Sequence, residues 1–226
     1  LKDGRYDDAL YLSSGANDAK ILRRILTSDG ADLSAAPFLD FGCSAGRVLR
    51  HFTAEAQHSE FWGVDIHAEA IAWAQAHLSP PFHFATTTTA PHLPFEDNSF
   101  GVVFAGSVFT HLAEMADAWF LELRRVLAVG GRLYITISDE GSLAQIAQTR
   151  PAHPSNAHIE ALRATDPCQF EEWVALYTRR GPWAQRSVYR RAEWIARMSR
   201  WLPHRSTHPC AYGWQTGVLF AKGGQR

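Results

Sequence analysis

Apolar residues recur along this chain at two periods, and the changeovers between them mark out its elements. In AKILRRILTSDG, Ile21, Leu22, Ile25 and Leu26 share one face, which predicts a first helix capped by Asn17 or Asp18. Phe38 to Phe41 reads as a first strand, FWGVD (61–65) as a second and FHFAT (82–86) as a third. FGVVFAGSV (100–108) is almost wholly apolar, as a strand covered on both sheet faces should be. GRLYITISD (131–139) alternates as a fifth strand. Between them lie helical patterns over 47–56, over AEAIAWAQAHL (68–78, ended by Pro80-Pro81) and over 116–127, stopped at Gly130-Gly131. Strand and helix in alternation predict an α/β fold, a parallel sheet with helices on both faces.

Beyond Asp139 the pattern loosens. Pro151, Pro154, Pro167 and Pro182 interrupt short helical pieces that the sequence does not order. A helix over 192–201 and a strand from Trp214 to Lys222 are clearer. That strand is expected to pair with an extended piece over 202–210 as a terminal hairpin joined by a loop longer than a tight turn.

Composition narrows the class. At 226 residues one domain is expected, with 140–205 as a partly helical cap or substrate-binding segment. A net charge of −1 argues against a general polyanion binder, so nucleic acid is not the expected partner. The longest apolar run is too short to span a bilayer. No charged-then-apolar leader opens the chain, and Cys43, Cys168 and Cys210 are an odd, scattered set, so a cytoplasmic location is expected.

The chemistry begins at FLDFGCSAGR (38–47), where a strand ends in an acid and turns through glycines. A dinucleotide fingerprint needs glycines at its first, third and sixth positions; here Ser44 and Arg47 stand at the third and sixth. A ligand without a pyrophosphate can dispense with them, which disfavours a nicotinamide-dependent oxidoreductase. Asp40, Asp65, Thr86 and Ser107 each fall at or just beyond the carboxyl end of one of four successive strands, where open α/β sheets bind ligands. Asp65 follows the glycine turn at the distance where an acid accepts ribose hydroxyls.

Four blocks in order, FLDFGCSAGR, FWGVDIHAEAIAWA, LPFEDNSFGVVFAGSVFTHL and ELRRVLAVGGRLYITI, resemble the class I S-adenosylmethionine-dependent methyltransferases, nearest to a small bacterial type with a GCxxGR loop. The resemblance implies a Rossmann-like three-layer sandwich, with a seven-stranded, mostly parallel sheet and an antiparallel terminal hairpin. It implies S-adenosylmethionine as cofactor and methyl transfer to a hydroxyl, or an amine, of a small-molecule or glycan-like acceptor. Carried over by position, Asp40 and Gly42 to Gly46 surround the methionine portion, and the amides of Cys43, Ser44 and onward to Arg47, at a helix start, favour its carboxylate. Asp65 holds the ribose, Ile66 packs on adenine, Thr86 or Thr87 meets the adenine edge, and Gly106, Ser107 and Val108 pass beneath the sulfonium. His111 then faces the acceptor, as a candidate general base or as a residue that only shapes the pocket.

Two departures stand out. The family usually carries an acid where this chain has Gly101, which keeps a catalytically degenerate cofactor-binding protein as an alternative. Val129 replaces a usual proline before Gly130-Gly131, and the glycines still supply the turn.

Two features lie outside that frame. His204, His208 and Cys210 have ligand-like chemistry, but Pro203 and Pro209 deny them a helical spacing, so no metal is expected. Between Trp173 and Arg205 there are eight arginines, no lysine and only Glu193 as an acid, interleaved with tryptophans. Such a surface suits a phosphorylated sugar, a lipid-linked glycan at a membrane face or a nucleic acid; equally, its tryptophans cover the sheet while its arginines pair with acids elsewhere.

Overall fold

The computed structural model describes residues 8–149, 173–177 and 185–224. They fall into two compact units, Leu1–Phe104 with Arg125–Arg132 and Ala105–Arg124 with Leu133–Arg226. Pro151, Pro154, Pro167, Pro182 and Cys168, singled out in the sequence, lie outside the described residues.

In the first unit, β1 (Phe38–Phe41), β2 (Phe61–Asp65), β3 (Phe82–Thr86) and β4 (Phe100–Ala105) take the order β3-β2-β1-β4. Every pairing among them is parallel. Aromatic side chains fill this layer: Phe38 stacks on Phe61 with ring centroids 4.9 Å apart, and Phe52 lies against both. The fourth strand is shorter than its apolar run, because Ser107 takes φ +61° and turns the chain out of the sheet.

Helix α1 (Asp8–Ser28) starts well upstream of the predicted cap. Asn17 and Asp18 sit inside it, and Asp18, instead of capping, is buried and pairs with Arg47 at 2.8 Å. Gly15, inside the helix, has a structural reason: a Cβ there would run into the Arg47 backbone. Helix α2 (Ala68–Leu78) follows its prediction and is capped by the His67 ring, which accepts the Ala70 amide at 3.2 Å.

The helix expected over 47–56 does not form; two 3-10 turns, Leu49–Phe52 and Glu55–Gln57, stand in its place. Side chains compete for carbonyls that a helix would use, and the Gly46 oxygen takes the Arg50 side chain as well as its amide. Arg50 donates to the Gly46 and Ala45 oxygens, Thr53 to the Arg50 oxygen, and Arg23 reaches from α1 to the His51 oxygen.

In the second unit the order is β8-β9-β5-β7-β6, with β5 (Leu127–Asp139), β6 (Trp173–Tyr177), β7 (Gln185–Tyr189), β8 (His204–Tyr212) and β9 (Gln215–Ala221). β5 begins directly after α3 (Ala116–Val126), earlier than the predicted 131. β7 runs parallel to the end of β5, pairing Val188 with Ser138 and Tyr189 with Asp139, and antiparallel to β6. Nine strands therefore appear among the described residues, against the seven expected. The extra pair arises inside the segment expected to be a partly helical cap, beside α4 (Glu140–Thr149) and α5 (Arg191–Met198).

The terminal hairpin is present, and its loop is tight: Tyr212 pairs with Gln215, leaving two residues between. Gly213 at φ +60° supplies the first central position that a II′ turn demands. Trp194 of α5 is fully buried among the rings of Phe109, Phe120, Tyr189 and Phe220, so this tryptophan of the tail is core. No helix among the described residues is long and apolar enough to cross a membrane.

Candidate functional site

The first unit carries the glycine loop. Gly42 and Gly46 take φ +82° and +70°, and Ser44 between them takes φ +50°, which costs a non-glycine residue energy unless its surroundings hold it. Asp65 holds it. Its Oδ2 accepts the Ser44 amide at 2.7 Å, and its Oδ1 accepts the His67 amide at 2.8 Å. The acid at the end of β2 therefore ties the glycine loop to its own strand and aims both oxygens.

The remaining loop amides are largely committed too. Gly42 and Cys43 donate to the Val64 oxygen at 2.8 and 3.1 Å, and Gly46 donates to the Cys43 oxygen at 2.9 Å. With the helix start replaced by 3-10 turns, the row of amides expected to meet a carboxylate is broken at Cys43, Ser44 and Gly46. Arg47 swings to α1, where it meets Asp18 and the Ser14 hydroxyl.

Asp40 is 2% exposed, and burial, only partly offset by Arg47 and reinforced by Asp65, pushes its carboxyl up to about 8. Cys43 is buried with its Sγ over Gly63, where a Cβ would stand 2.8 Å from the sulfur. Burial, then Asp40 and Asp65, push its thiol well up, so it acts as a small packing residue and stays a thiol. Ile66, next to Asp65, is 49% exposed. Of the ambiguous threonines, Thr86 is exposed and Thr87 is buried, its amide bonded to the Asp65 oxygen at 2.9 Å.

Gly101 also finds its reason here. A Cβ at that position would stand 2.6 Å from the Ala36 Cβ, because the Gly101 amide is drawn to the Pro37 oxygen at 2.9 Å. The missing acid is a consequence of how closely the preceding loop packs.

The second unit carries Gly106, Ser107, Val108 and His111, all partly buried. Ser107 is the centre of a polar network that the sequence did not announce. Its amide donates to Thr136 Oγ1 at 2.7 Å, its Oγ accepts Gln215 Nε2 at 2.8 Å, and Thr136 Oγ1 donates to Gln215 Oε1 at 2.7 Å. Thr110 Oγ1 closes back on the Ser107 oxygen at 2.9 Å. One signal was available: Thr136 is polar between the apolar Ile135 and Ile137 of a buried strand.

His111 ends a 3-10 turn, its amide bonded to the Val108 oxygen at 2.8 Å. Strand β7 braces this turn from the tail. Tyr189 donates its hydroxyl to the Phe109 oxygen at 2.9 Å, and the Ser187 hydroxyl accepts the Ala113 amide at 3.2 Å. Burial raises the Tyr189 phenol, so it remains a donor at ordinary pH. His204 and His208 lie on β8 and bond to Thr207 and Ser206 respectively.

Residues 39–135 match the family model described as a methyltransferase domain. Three solved structures share the fold. The glycopeptide N-methyltransferase MtfA, complexed with S-adenosylhomocysteine, is 13% identical over 92% of this chain and 90% of its own, with a TM-score of 0.63. An S-adenosylmethionine-dependent methyltransferase from Clostridium acetobutylicum is 11% identical over 92% of each chain, at 0.64. Magnesium protoporphyrin IX methyltransferase from Synechocystis, with bound S-adenosylhomocysteine, is 14% identical over 97% of this chain and 89% of its own, at 0.61. At such identities the likeness is one of fold.

Proposed function

We propose that this chain is a class I S-adenosylmethionine-dependent methyltransferase, a reading supported by the methyltransferase-domain match and the shared fold, and that it methylates a hydroxyl or amine of a small-molecule or glycan-like acceptor. S-adenosylmethionine supplies an activated methyl group on a sulfonium. It is the cofactor bound by similar proteins, and MtfA has been crystallised with it.

The residues of the first unit fit that cofactor. Each Asp65 oxygen, after accepting one amide, keeps a second lone pair for a ribose hydroxyl. Ile66 offers exposed apolar surface beside it for a purine, and Thr86 is the accessible threonine for the adenine edge. Asp40 and the Gly42, Cys43, Ser44, Gly46 and Arg47 loop take the methionine portion in this reading, with Thr87 in support through its backbone. Gly106, Ser107 and Val108 line the path of the methyl group, and His111 takes the acceptor proton.

The observation that carries the reading is Asp65, a buried acid fixed by two amides at a strand end, adjoining a glycine loop at positive φ. Since the leaving thioether needs little help, alignment and a base are the chemistry asked of the protein. The degenerate alternative loses its motive once Gly101 is explained by Ala36. Calorimetry with S-adenosylmethionine, S-adenosylhomocysteine and NAD tests the proposal. Micromolar binding of the first two is expected; binding of NAD alone would overturn it.

A further inference from the structure

The arginines of the tail divide by partner. Arg197 meets Asp117 at 3.0 Å, Arg190 lies 3.7 Å from Glu193, and Arg191 lies 3.5 Å from Asp139 and 3.9 Å from Glu140. These are the pairings expected of a solvated or bracing cation. Arg186 differs. It stands on β7, its guanidinium carbon 5.8 Å from the centre of the Trp214 ring, and its Nη1 is buried without a hydrogen-bond partner among the described residues.

A guanidinium loses hydration when it is buried, and proteins recover that cost with a carboxylate or another acceptor. Burial lowers the Arg186 pKa, and among the described residues no acid acts in the opposite direction. The aromatic face of Trp214 compensates part of the charge and fixes the plane of the fork, yet it takes no hydrogen bond from Nη1.

Position adds the second argument. β7 pairs in parallel with the end of β5 through Val188–Ser138 and Tyr189–Asp139, and Arg186 lies two residues before that pairing, on the side of Thr136, whose Oγ1 accepts the Ser107 amide. Trp214 immediately precedes Gln215, which donates to Ser107 Oγ. The Arg186–Trp214 pair thus adjoins the network that holds Ser107.

We propose that Arg186, held flat over Trp214, recognises an oxyanion, carboxylate or phosphate, on the methyl acceptor. The proposal rests on the methyltransferase reading and adds the charge of the substrate to it. A planar fork with an uncommitted donor favours oxyanions over neutral polar groups, because a neutral group leaves the buried charge uncompensated.

The test uses the full chain saturated with S-adenosylhomocysteine and titrated calorimetrically with benzoate, phenyl phosphate and the neutral benzamide at low ionic strength. The better of the two anions is expected to bind at least tenfold more tightly than benzamide, and which anion it is identifies the oxyanion. R186M is expected to abolish that preference while keeping S-adenosylhomocysteine affinity within about twofold, and R186K to restore part of it. Should R186M fail to fold, R186Q carries the same comparison. Equal binding of anions and benzamide by the wild type, or an unchanged preference in R186M, overturns the proposal. So does loss of S-adenosylhomocysteine affinity in R186M, which would assign the arginine to the cofactor. Failure of the wild type to bind S-adenosylhomocysteine overturns the methyltransferase reading itself, and the acceptor role with it.

Discussion

Asp65 Oδ2 accepts the Ser44 amide at 2.7 Å, so the acid at the end of one strand holds the strained turn that follows another. Ser44 at φ +50° would relax if released. Asp65→Ala should therefore lower the melting temperature and weaken S-adenosylmethionine binding at least tenfold, as seen by calorimetry. Normal affinity in this variant would remove the ribose assignment. Hydrogen bonds to a carboxylate are worth roughly 1.5–3 kcal/mol each, enough for both effects to be plain.

Asp40 should give stability a pH dependence of unusual sign. The folded carboxyl keeps its proton up to about 8, whereas the unfolded chain releases it near pH ~4. Between those values the unfolded state binds fewer protons, so Asp40 withdraws stability as pH rises through the window. Asp40→Asn removes this term. The melting temperature of the variant minus that of the wild type should rise from about pH 4 to about pH 8 and then level off. A difference that stays constant across the range would show that Asp40 is ionised in the fold.

Gly101 and Ala36 form a matched pair, since a Cβ at 101 would stand 2.6 Å from that of Ala36. Gly101→Asp, which restores the family's usual acid, should destabilise the protein by about 1–3 kcal/mol through overpacking. Gly101→Ala should cost less, and adding Ala36→Gly to it should recover part of the loss. Thermal melts of the three variants decide it: an unchanged melting temperature in Gly101→Asp would contradict the steric account.

His111 is tested by separating chemistry from binding. His111→Asn is expected to cut turnover at least tenfold with S-adenosylmethionine affinity nearly unchanged, because backbone bonds, Tyr189 and Ser187 hold its turn. Full turnover would leave His111 as a shaping residue only.

Ser107 should depend on two distant side chains. Gln215→Leu removes the donor to its Oγ and the acceptor of Thr136, leaving a buried hydroxyl without its partner. A loss of turnover larger than the loss of cofactor affinity is expected, measured as kcat against Kd. Equal losses in both would point to general unfolding instead.

Much of the fold was legible because local periodicity and short-range punctuation dictate it. Strands β1 to β3, helix α2 and the position of Asp65 follow directly from alternating or helical apolar spacing and from the glycines and prolines between. Where side chains far along the chain intervene, the same reasoning misplaced elements. Arg23 competes for the His51 carbonyl and Arg50 for those of Ala45 and Gly46, so a segment with helical spacing becomes 3-10 turns. Asp18 looked like a cap, but its partner Arg47 lies far away in sequence, and that pairing buries it inside α1.

The sequence by itself determined the glycine turn, the strand-end acids and their order, because these are local chemistry, each written within a few residues of a strand end. Tertiary structure alone decided the rest. Only packing shows that Ala36 excludes an acid at 101, that Thr136 and Gln215 hold Ser107, and that Trp194 is core while Arg186 lies on Trp214. The physical reason is common to all of them. Each depends on a close approach between residues whose sequence separation carries no periodic signal, and such approaches exist only once the sheet has brought the strands together.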